Sequence, residues 1–104
     1  FAAKILKQFS NAYFGFTGVL TYDNAKNVQE CVATTVPLNR ILLETDAPYM
    51  PANVPNFVRN KRVRLYAHCA HVIFVAQKIA ELKKVPIAQV LKQTRQNAKD
   101  VYGF

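Results

Sequence analysis

The chain has 104 residues, 51% of them hydrophobic, which argues against a disordered segment and allows one small domain or a part of one. Its 14 lysine and arginine residues outnumber its 6 acidic residues, and the formal charge of +8 favours anionic partners such as nucleic acids. No stretch reaches the roughly 18 uninterrupted apolar residues of a membrane span. The two cysteines, Cys31 and Cys69, form no disulfide framework, so we expect buried thiols in an intracellular protein, cytoplasmic or nuclear, without membrane contact.

The first half of the chain alternates between helical and extended patterns. Apolar residues recur at helical spacing from Ala2 to Phe9, which predicts a helix. Aromatic residues then concentrate over residues 13–16 and predict a short buried strand. A second helix is expected after Asp23 or Asn24, either of which can serve as its N-cap. The predicted inward residues of this helix are Ala25, Val28, Cys31 and Val32.

The second half continues with a predicted strand and two predicted helices. Residues 40–44, RILLE, form a short apolar run before a turn, which is typical of a strand covered on both faces in a parallel sheet. A helical pattern returns from Ala67 to Leu82, and Pro86 is suited to start a last helix that Gly103 would stop. The predicted inward residues of the last helix are Ile87, Val90, Leu91 and Ala98. The alternation predicts βα units with right-handed crossovers, an α/β fold with a parallel sheet.

Two carboxylates follow the predicted second strand. Ligands of parallel α/β folds gather at the carboxyl ends of the strands, and Asp46 has that position. Asp46 could bind a divalent cation there, while Glu44, two residues earlier, could add a second oxygen or a hydrogen bond. Alternatively, Asp46 caps the turn before Pro48 and Glu44 pairs with an arginine.

A basic segment lies beyond this turn, in a proline-containing stretch of some twenty residues. Its four cations, Arg59, Lys61, Arg62 and Arg64, could grip the phosphates of a nucleic acid, or they could form a solvated loop that serves solubility. The nearby aromatic residues Tyr49, Phe57 and Tyr66 could stack on bases or pin the loop to the core.

Two histidines follow the basic segment. His68 and His71 have an i, i+3 spacing that could present both imidazoles to one metal ion on a helix. The alternative interpretation is that His71 packs within the helix.

Three stretches, YFGFTGVLTY, VPLNRILLETDAPYMP and the closing QKIAELKKVPIAQVLKQTRQNAKDVYGF, resemble the C-terminal part of the TatD family of metal-dependent deoxyribonucleases. LLETDAPY is the most specific element, supported by GFTG and by the NA of the last helix. The resemblance covers nearly the whole chain from about Ala12 onward.

The resemblance implies a (β/α)8 TIM-type barrel of the amidohydrolase type, in which YFGF and ILLE would be the seventh and eighth strands. Asp46 matches the family's aspartate at the last strand, expected as a metal ligand and as the base for the attacking water. Glu44 matches the acidic residue that supports it. The expected cofactor is a divalent metal ion, Mg, Mn or Zn.

The resemblance also implies residues that this chain lacks. Members of the family carry a His-x-His pair, a glutamate and two further histidines upstream, and a complete barrel needs about 250 residues. We therefore expect residues 1–104 to be the C-terminal segment of a single hydrolase domain, as the absence of a methionine at Phe1 also suggests. The remainder of the barrel would be required for a complete site, and the chain alone would be inactive.

The expected function of the parent protein is hydrolysis of DNA, or of RNA, at phosphodiester bonds by metal-activated water. Members of the family commonly carry an Asn-Glu-Pro segment where the last long helix begins, and this chain has AHCAH there. The resemblance implies that His68 could replace the polar substrate contact of that asparagine. Two alternatives stay open. The chain could be a truncated, non-catalytic basic module that binds nucleic acids, or the scaffold could act on another hydrolysable bond.

Overall fold

The computed structural model describes residues 1–50, 52–53 and 69–103. Four α-helices and two β-strands follow one another in the order α1, β1, α2, β2, α3, α4. Their bounds are Ala2–Gln8 (α1), Phe14–Phe16 (β1), Lys26–Thr34 (α2), Ile41–Leu43 (β2), Val72–Lys83 (α3) and Ile87–Tyr102 (α4). Short 3₁₀ helices cover Gly18–Thr21, Leu38–Arg40 and Cys69–His71.

The two strands form a parallel sheet in which Phe14 lies opposite Ile41 and Phe16 lies opposite Leu43. The predicted parallel pairing is therefore confirmed. Both strands are shorter than predicted, although the Glu44 amide extends the ladder by donating to the Phe16 carbonyl at 2.9 Å. Helix α2 makes the connection between the strands, as expected for a βα unit.

At the amino ends of the strands, the Arg40 guanidinium lies over the Tyr13 ring, 5.0 Å from its centroid. These residues precede β2 and β1 respectively, so the cation–π contact joins the two points at which the chain enters the sheet. The opposite, carboxyl ends of the strands are left for Glu44 and the residues after it.

The core lies between the sheet and helices α2, α3 and α4. Its fully buried members are aliphatic, which is expected where each helix buries only one stripe of its surface. The largest of these side chains are Leu20, Val32, Val36, Ile41, Val75, Ile79 and Val90.

Two expectations for helix α2 are wrong. The helix begins at Lys26 with Ala25 at its N-cap, and no side chain caps it. Asp23 and Asn24 instead lie within a turn that the Ala25 amide closes by donating to the Tyr22 carbonyl at 3.1 Å. Val28, predicted to point inward, is 40% exposed.

Gln29 occupies the inward position beside Val28. Its amide nitrogen donates to the carbonyls of Leu20 and Tyr22, both at 2.9 Å, and the side chain is buried. Gln29 thus gives the Leu20 carbonyl a donor and gives the Tyr22 carbonyl a second donor besides the Ala25 amide. A polar side chain therefore suits this buried position better than valine. Cys31, expected to be buried, is only half-buried.

Helix α4 ends as predicted, but its inward face is wider than the apolar residues alone indicate. Gly103 adopts φ 77° and its amide donates to the Lys99 carbonyl at 2.8 Å, a left-handed C-cap that favours glycine. Leu91, predicted to point inward, is 37% exposed, whereas Thr94 and Asn97 are buried.

Asn97 attaches helix α4 to the start of strand β2. Its amide nitrogen donates to the carbonyls of Leu38 and Ile41, at 2.9 and 2.8 Å. Its amide oxygen accepts from Gln93 at 2.8 Å. Because Asn97 is almost fully buried and uses both ends of its amide, it determines where α4 lies against β2.

No helix among the described residues is both long and apolar enough to cross a membrane.

We expect Asn97→Ala to lower the free energy of unfolding by about 1–3 kcal/mol, because the Leu38 and Ile41 carbonyls each lose a hydrogen bond from the side chain, the one to Ile41 in a buried site. Asn27→Ala is the matched control, since Asn27 is exposed on helix α2 and both changes gain the same helix propensity. The measurement is urea denaturation followed by circular dichroism at one protein concentration. Equal stability of the two variants would contradict the role of Asn97.

Candidate active site

The carboxyl ends of the parallel strands carry the acidic pair. Glu44 directly follows β2, Asp46 comes two residues later, and both side chains are exposed. The structure therefore places both predicted residues at the end of the sheet where parallel α/β folds gather their ligands. Among the described residues Glu44 has no ion-pair partner, so the alternative pairing with an arginine is not observed there.

The Glu44 carboxylate lies across strand β1 at Gly15. A Cβ atom added to Gly15 would meet the carboxylate, with Glu44 Oε2 only 2.9 Å away. The absence of a side chain at Gly15 thus creates the space that Glu44 occupies. This contact explains why a glycine interrupts the aromatic residues of β1, where glycine is otherwise unfavourable.

Asp46 begins a tight turn. Its carbonyl accepts a hydrogen bond from the Tyr49 amide at 2.8 Å, and the Ala47–Pro48 peptide bond within the turn is cis. This hydrogen bond uses only the Asp46 backbone, and among the described residues no hydrogen bond or ion pair of the Asp46 carboxylate is seen. Tyr49 is 68% exposed and does not pin the loop to the core.

The residues after this turn pack against the 3₁₀ helix Gly18–Thr21, which follows β1. A Cβ atom on Gly18 would come within 2.8 Å of both the Met50 carbonyl oxygen and the Ala52 amide nitrogen. Gly18 therefore allows two stretches of backbone to approach each other closely. Asn53 continues this contact, since its backbone and side-chain nitrogens donate to Thr21 Oγ1 and to the Thr21 carbonyl, both at 2.8 Å.

A cavity of about 270 Å³ lies beside Glu44, between strand β2 and helix α4. Leu42 and Leu43 both line this cavity. Because consecutive side chains of a strand point to opposite faces of the sheet, a cavity that contacts both of them lies along the edge of β2. Its other lining residues are Glu44, Val72, Leu91, Thr94, Arg95, Ala98 and Tyr102. Leu91, which is 37% exposed, is one of these lining residues.

The chemistry of the donors is compatible with a divalent cation, because carboxylate oxygens are ligands that such ions accept in proteins. Glu44 and Asp46 supply two carboxylates at one end of the sheet. Within the described ranges, no group of three histidine, cysteine, aspartate or glutamate side chains could hold an ion. Asp46, with Glu44 beside it, fits as a contributor to a metal site that needs further ligands.

Several predicted substrate contacts lie outside the described residues. These are Arg59, Lys61, Arg62, Arg64 and His68, together with the aromatic residues Phe57 and Tyr66. His71 is described, and it is half-buried at the N-cap of α3. Its ring centroid is 5.7 Å from that of Phe74, which agrees with the interpretation of His71 as a packed residue of the helix.

Thr21 and Asn53 were not predicted from the sequence as part of this region. They are 32 residues apart, and neither belongs to an apolar period or to a run of charge. The nearest signal was the GFTG stretch, whose second glycine, Gly18, carries the backbone contact.

A sequence model of the family described as TatD related DNase matches residues 1–103. The chain belongs to the TatD family. The predicted resemblance to this family is thereby confirmed. Glu44 and Asp46, the acidic residues of LLETDAPY, form what we call the acidic motif, and they lie at the carboxyl end of β2.

Two relatives illustrate the similarity. The human 3'-5' RNA nuclease TATDN2 is 38% identical over 101 residues, which are 96% of this chain and 12% of that protein. The metal-dependent hydrolase YabD of Bacillus subtilis is 36% identical over 92 residues, which are 88% of this chain and 33% of that protein. The chain thus spans a third or less of the length of these TatD relatives.

Solved structures give the same result for the fold. The TatD homologue YjjV of Escherichia coli matches with a TM-score of 0.71 and 26% identity, over 93% of this chain and 34% of that one. A TatD-family hydrolase of Entamoeba histolytica matches with a TM-score of 0.68 and 20% identity, over 95% and 37% of the two chains. The α/β arrangement is therefore part of the TIM-barrel architecture of the TatD family.

The two glycines of this region should respond differently to alanine. Gly15→Ala meets the movable end of the Glu44 side chain, so we expect the free energy of unfolding to change by less than about 1 kcal/mol. Gly18→Ala meets the backbone of Met50 and Ala52 and should cost about 1–3 kcal/mol, as overpacking usually does. Urea denaturation of both variants at one protein concentration checks the order, and a larger loss for Gly15→Ala would contradict it.

Proposed function

We propose that this chain is the part of a TatD-type nuclease that supplies strands seven and eight of a (β/α)8 barrel, with β1 as the seventh strand and β2 as the eighth. The observation that carries the proposal is the position of Asp46 and Glu44, both exposed directly beyond the end of β2 in a TatD-family chain. DNA is the expected substrate, and phosphodiester hydrolysis is the expected reaction.

A divalent metal ion, when bound, would supply Lewis-acid chemistry for water and for the scissile phosphate. Metal dependence is proposed here because YabD and other relatives are named metal-dependent hydrolases. Asp46 would act as one ligand of the metal ion. Its carboxylate would also be the base that accepts a proton from the attacking water. Glu44, whose carboxylate lies over Gly15, would support Asp46 by a hydrogen bond or by its charge.

The remaining ligands would come from parts of a barrel that these 104 residues do not include. The proposal is consistent with the share of the relatives that the chain spans and with the apolar cavity along the edge of β2. In a closed barrel, a neighbouring strand would pair with that edge and cover its leucines.

The net charge of +8 supports a polyanionic substrate. Arg59, Lys61, Arg62 and Arg64 follow the acidic motif in sequence, so we propose that they contact phosphates, with His68 as a further substrate contact. RNA is the competing substrate, because the human relative is named an RNA nuclease.

We expect Asp46→Asn to lower cleavage of a single-stranded DNA oligonucleotide by about 100-fold or more, because general acid–base groups contribute about 10²–10⁴-fold. Asp100→Asn is the matched control, since it makes the same change of charge at an exposed site on helix α4. The assay uses a polypeptide that joins residues 1–104 to the missing barrel strands, with Mg²⁺, Mn²⁺ or Zn²⁺ added in turn.

An RNA oligonucleotide of the same sequence, assayed in parallel, distinguishes a deoxyribonuclease from a ribonuclease. The second candidate function, a basic binding module without hydrolysis, is favoured by the charge of +8. That function requires salt-sensitive binding that is equal in the wild type and in Asp46→Asn, with no cleavage by either protein. Cleavage that survives Asp46→Asn would contradict the catalytic role of Asp46.

The 104-residue chain alone should associate in solution, because the cavity along β2 exposes apolar side chains beside a strand edge. Size-exclusion chromatography with light scattering should give a mass well above the 11.8 kDa of one chain. A monomer that unfolds cooperatively would contradict the assignment of this face to the interior of a barrel.

A further inference from the structure

Two polar residues connect the segment after Asp46 to the turn after β1. The Asn53 backbone amide donates to Thr21 Oγ1 at 2.8 Å, and Asn53 Nδ2 donates to the Thr21 carbonyl at 2.8 Å. The Thr21 hydroxyl in turn donates to the Gly18 carbonyl at 2.6 Å. We refer to Thr21 and Asn53 together as the clamp.

The clamp is accompanied by close packing. Ala52, next to Asn53, is only 3% exposed, and its backbone lies so near Gly18 that no side chain would fit there. Ala52 and Asn53 therefore pack directly against the 3₁₀ helix Gly18–Thr21, and the clamp holds them at a defined position along that helix.

Asp46 lies between two anchored points. On one side, the Glu44 amide donates to the Phe16 carbonyl at 2.9 Å and continues the sheet. On the other side, the clamp holds Asn53. Between them, the Asp46 carbonyl accepts from the Tyr49 amide at 2.8 Å. Anchoring both ends reduces the conformations open to the loop and so restricts the position of Asp46.

The hydrogen bonds of the clamp are exposed to solvent, so the effect of breaking them on the loop position can be distinguished from an effect on global stability. Water replaces an exposed hydrogen bond when it breaks, so such bonds contribute little to global stability. They still decide which of several loop positions the chain adopts. Groups that orient a metal-ligating side chain commonly affect metal affinity or activity by about 10–100-fold.

We propose that Thr21 and Asn53 are positioning residues that hold the Asp46 loop in the arrangement needed for metal binding and hydrolysis. This inference rests on the proposed function for the role of Asp46. It adds two side chains, one on each side of the sheet end, to which neither a metal contact nor a substrate contact is assigned.

The test compares Thr21→Val, which keeps the shape but removes the hydroxyl, with Thr21→Ser, which retains the hydroxyl. Thr34→Val is the matched control, because the Thr34 hydroxyl donates to the Glu30 carbonyl within its own helix at 2.8 Å. Asn53→Ala, a change at an exposed residue, is a second way to break the clamp should Thr21→Val fail to fold. All variants are made in the polypeptide that joins residues 1–104 to the missing barrel strands.

The first readout is amide hydrogen exchange in the metal-free protein. Thr21→Val should speed exchange at the Tyr49 amide, which reports on the Asp46 turn, by about tenfold. Exchange at the Glu44 amide, which lies in the sheet, should not change. Thr21→Ser and Thr34→Val should both resemble the wild type.

The second readout is Mn²⁺ binding, measured by calorimetry without substrate. Thr21→Val and Asn53→Ala should weaken it by about tenfold, and should lower kcat more than they change KM for the oligonucleotide. Faster exchange at Asn53 with unchanged Tyr49 exchange and unchanged Mn²⁺ binding would overturn the inference.

Failure of the proposed function would look different. Asp46→Asn would then retain full cleavage and full Mn²⁺ affinity, which overturns the role of Asp46 and the clamp's part in the chemistry with it. Loss of activity in Asp46→Asn, together with wild-type Mn²⁺ binding in Thr21→Val, would overturn the clamp inference alone.

Discussion

The parallel pairing of β1 with β2 is the constraint on which the arrangement of the candidate site depends. With Phe14 opposite Ile41 and Phe16 opposite Leu43, the Glu44 amide reaches the Phe16 carbonyl, and the Glu44 side chain lies over Gly15. A shift of the register by one residue would move every side chain of β2 to the other face of the sheet. Glu44 would then leave the space above Gly15.

Side-chain amides maintain this pairing from outside the sheet. Asn97 of helix α4 donates to carbonyls at the start of β2, and Gln29 of helix α2 donates to carbonyls after the end of β1. Two of these carbonyls, those of Leu38 and Tyr22, also accept from the backbone amides of Ile41 and Ala25, so the side-chain amides add to the backbone hydrogen bonds around the short strands. Among the described residues no buried side-chain nitrogen or oxygen lacks a partner, so these polar contacts do not carry an unpaired cost.

The region around the acidic motif combines rigid and open parts. The sheet and the packing at Gly18 hold the backbone on both sides of Asp46, while the carboxylates of Glu44 and Asp46 face solvent. Such an arrangement suits a site in which ligands arrive from another part of a barrel, because the side chains are positioned before those ligands are present. The apolar cavity along β2 fits the same interpretation, since its lining is not suited to permanent contact with water.

Local pattern was sufficient for much of this protein. The two strands, their parallel order, the last helix with its stop at Gly103 and the strand-end position of the acidic pair all follow from periodicity, turn chemistry and the TatD motifs. The inward position of Gln29 in place of Val28 could not be predicted that way, and neither could the exposure of Leu91. Helical spacing identifies an apolar face, but it does not show which distant carbonyls need a donor.

The same limit applies around the candidate site. The sequence by itself determined that an acidic pair ends a buried strand in a basic, TatD-family chain. Only the tertiary structure decided that Glu44 lies over Gly15, that Asn97 holds α4 against β2, and that Asn53 bonds to Thr21. These contacts join residues far apart in the chain, and their geometry depends on how helices and strands pack, which no local pattern of residues records.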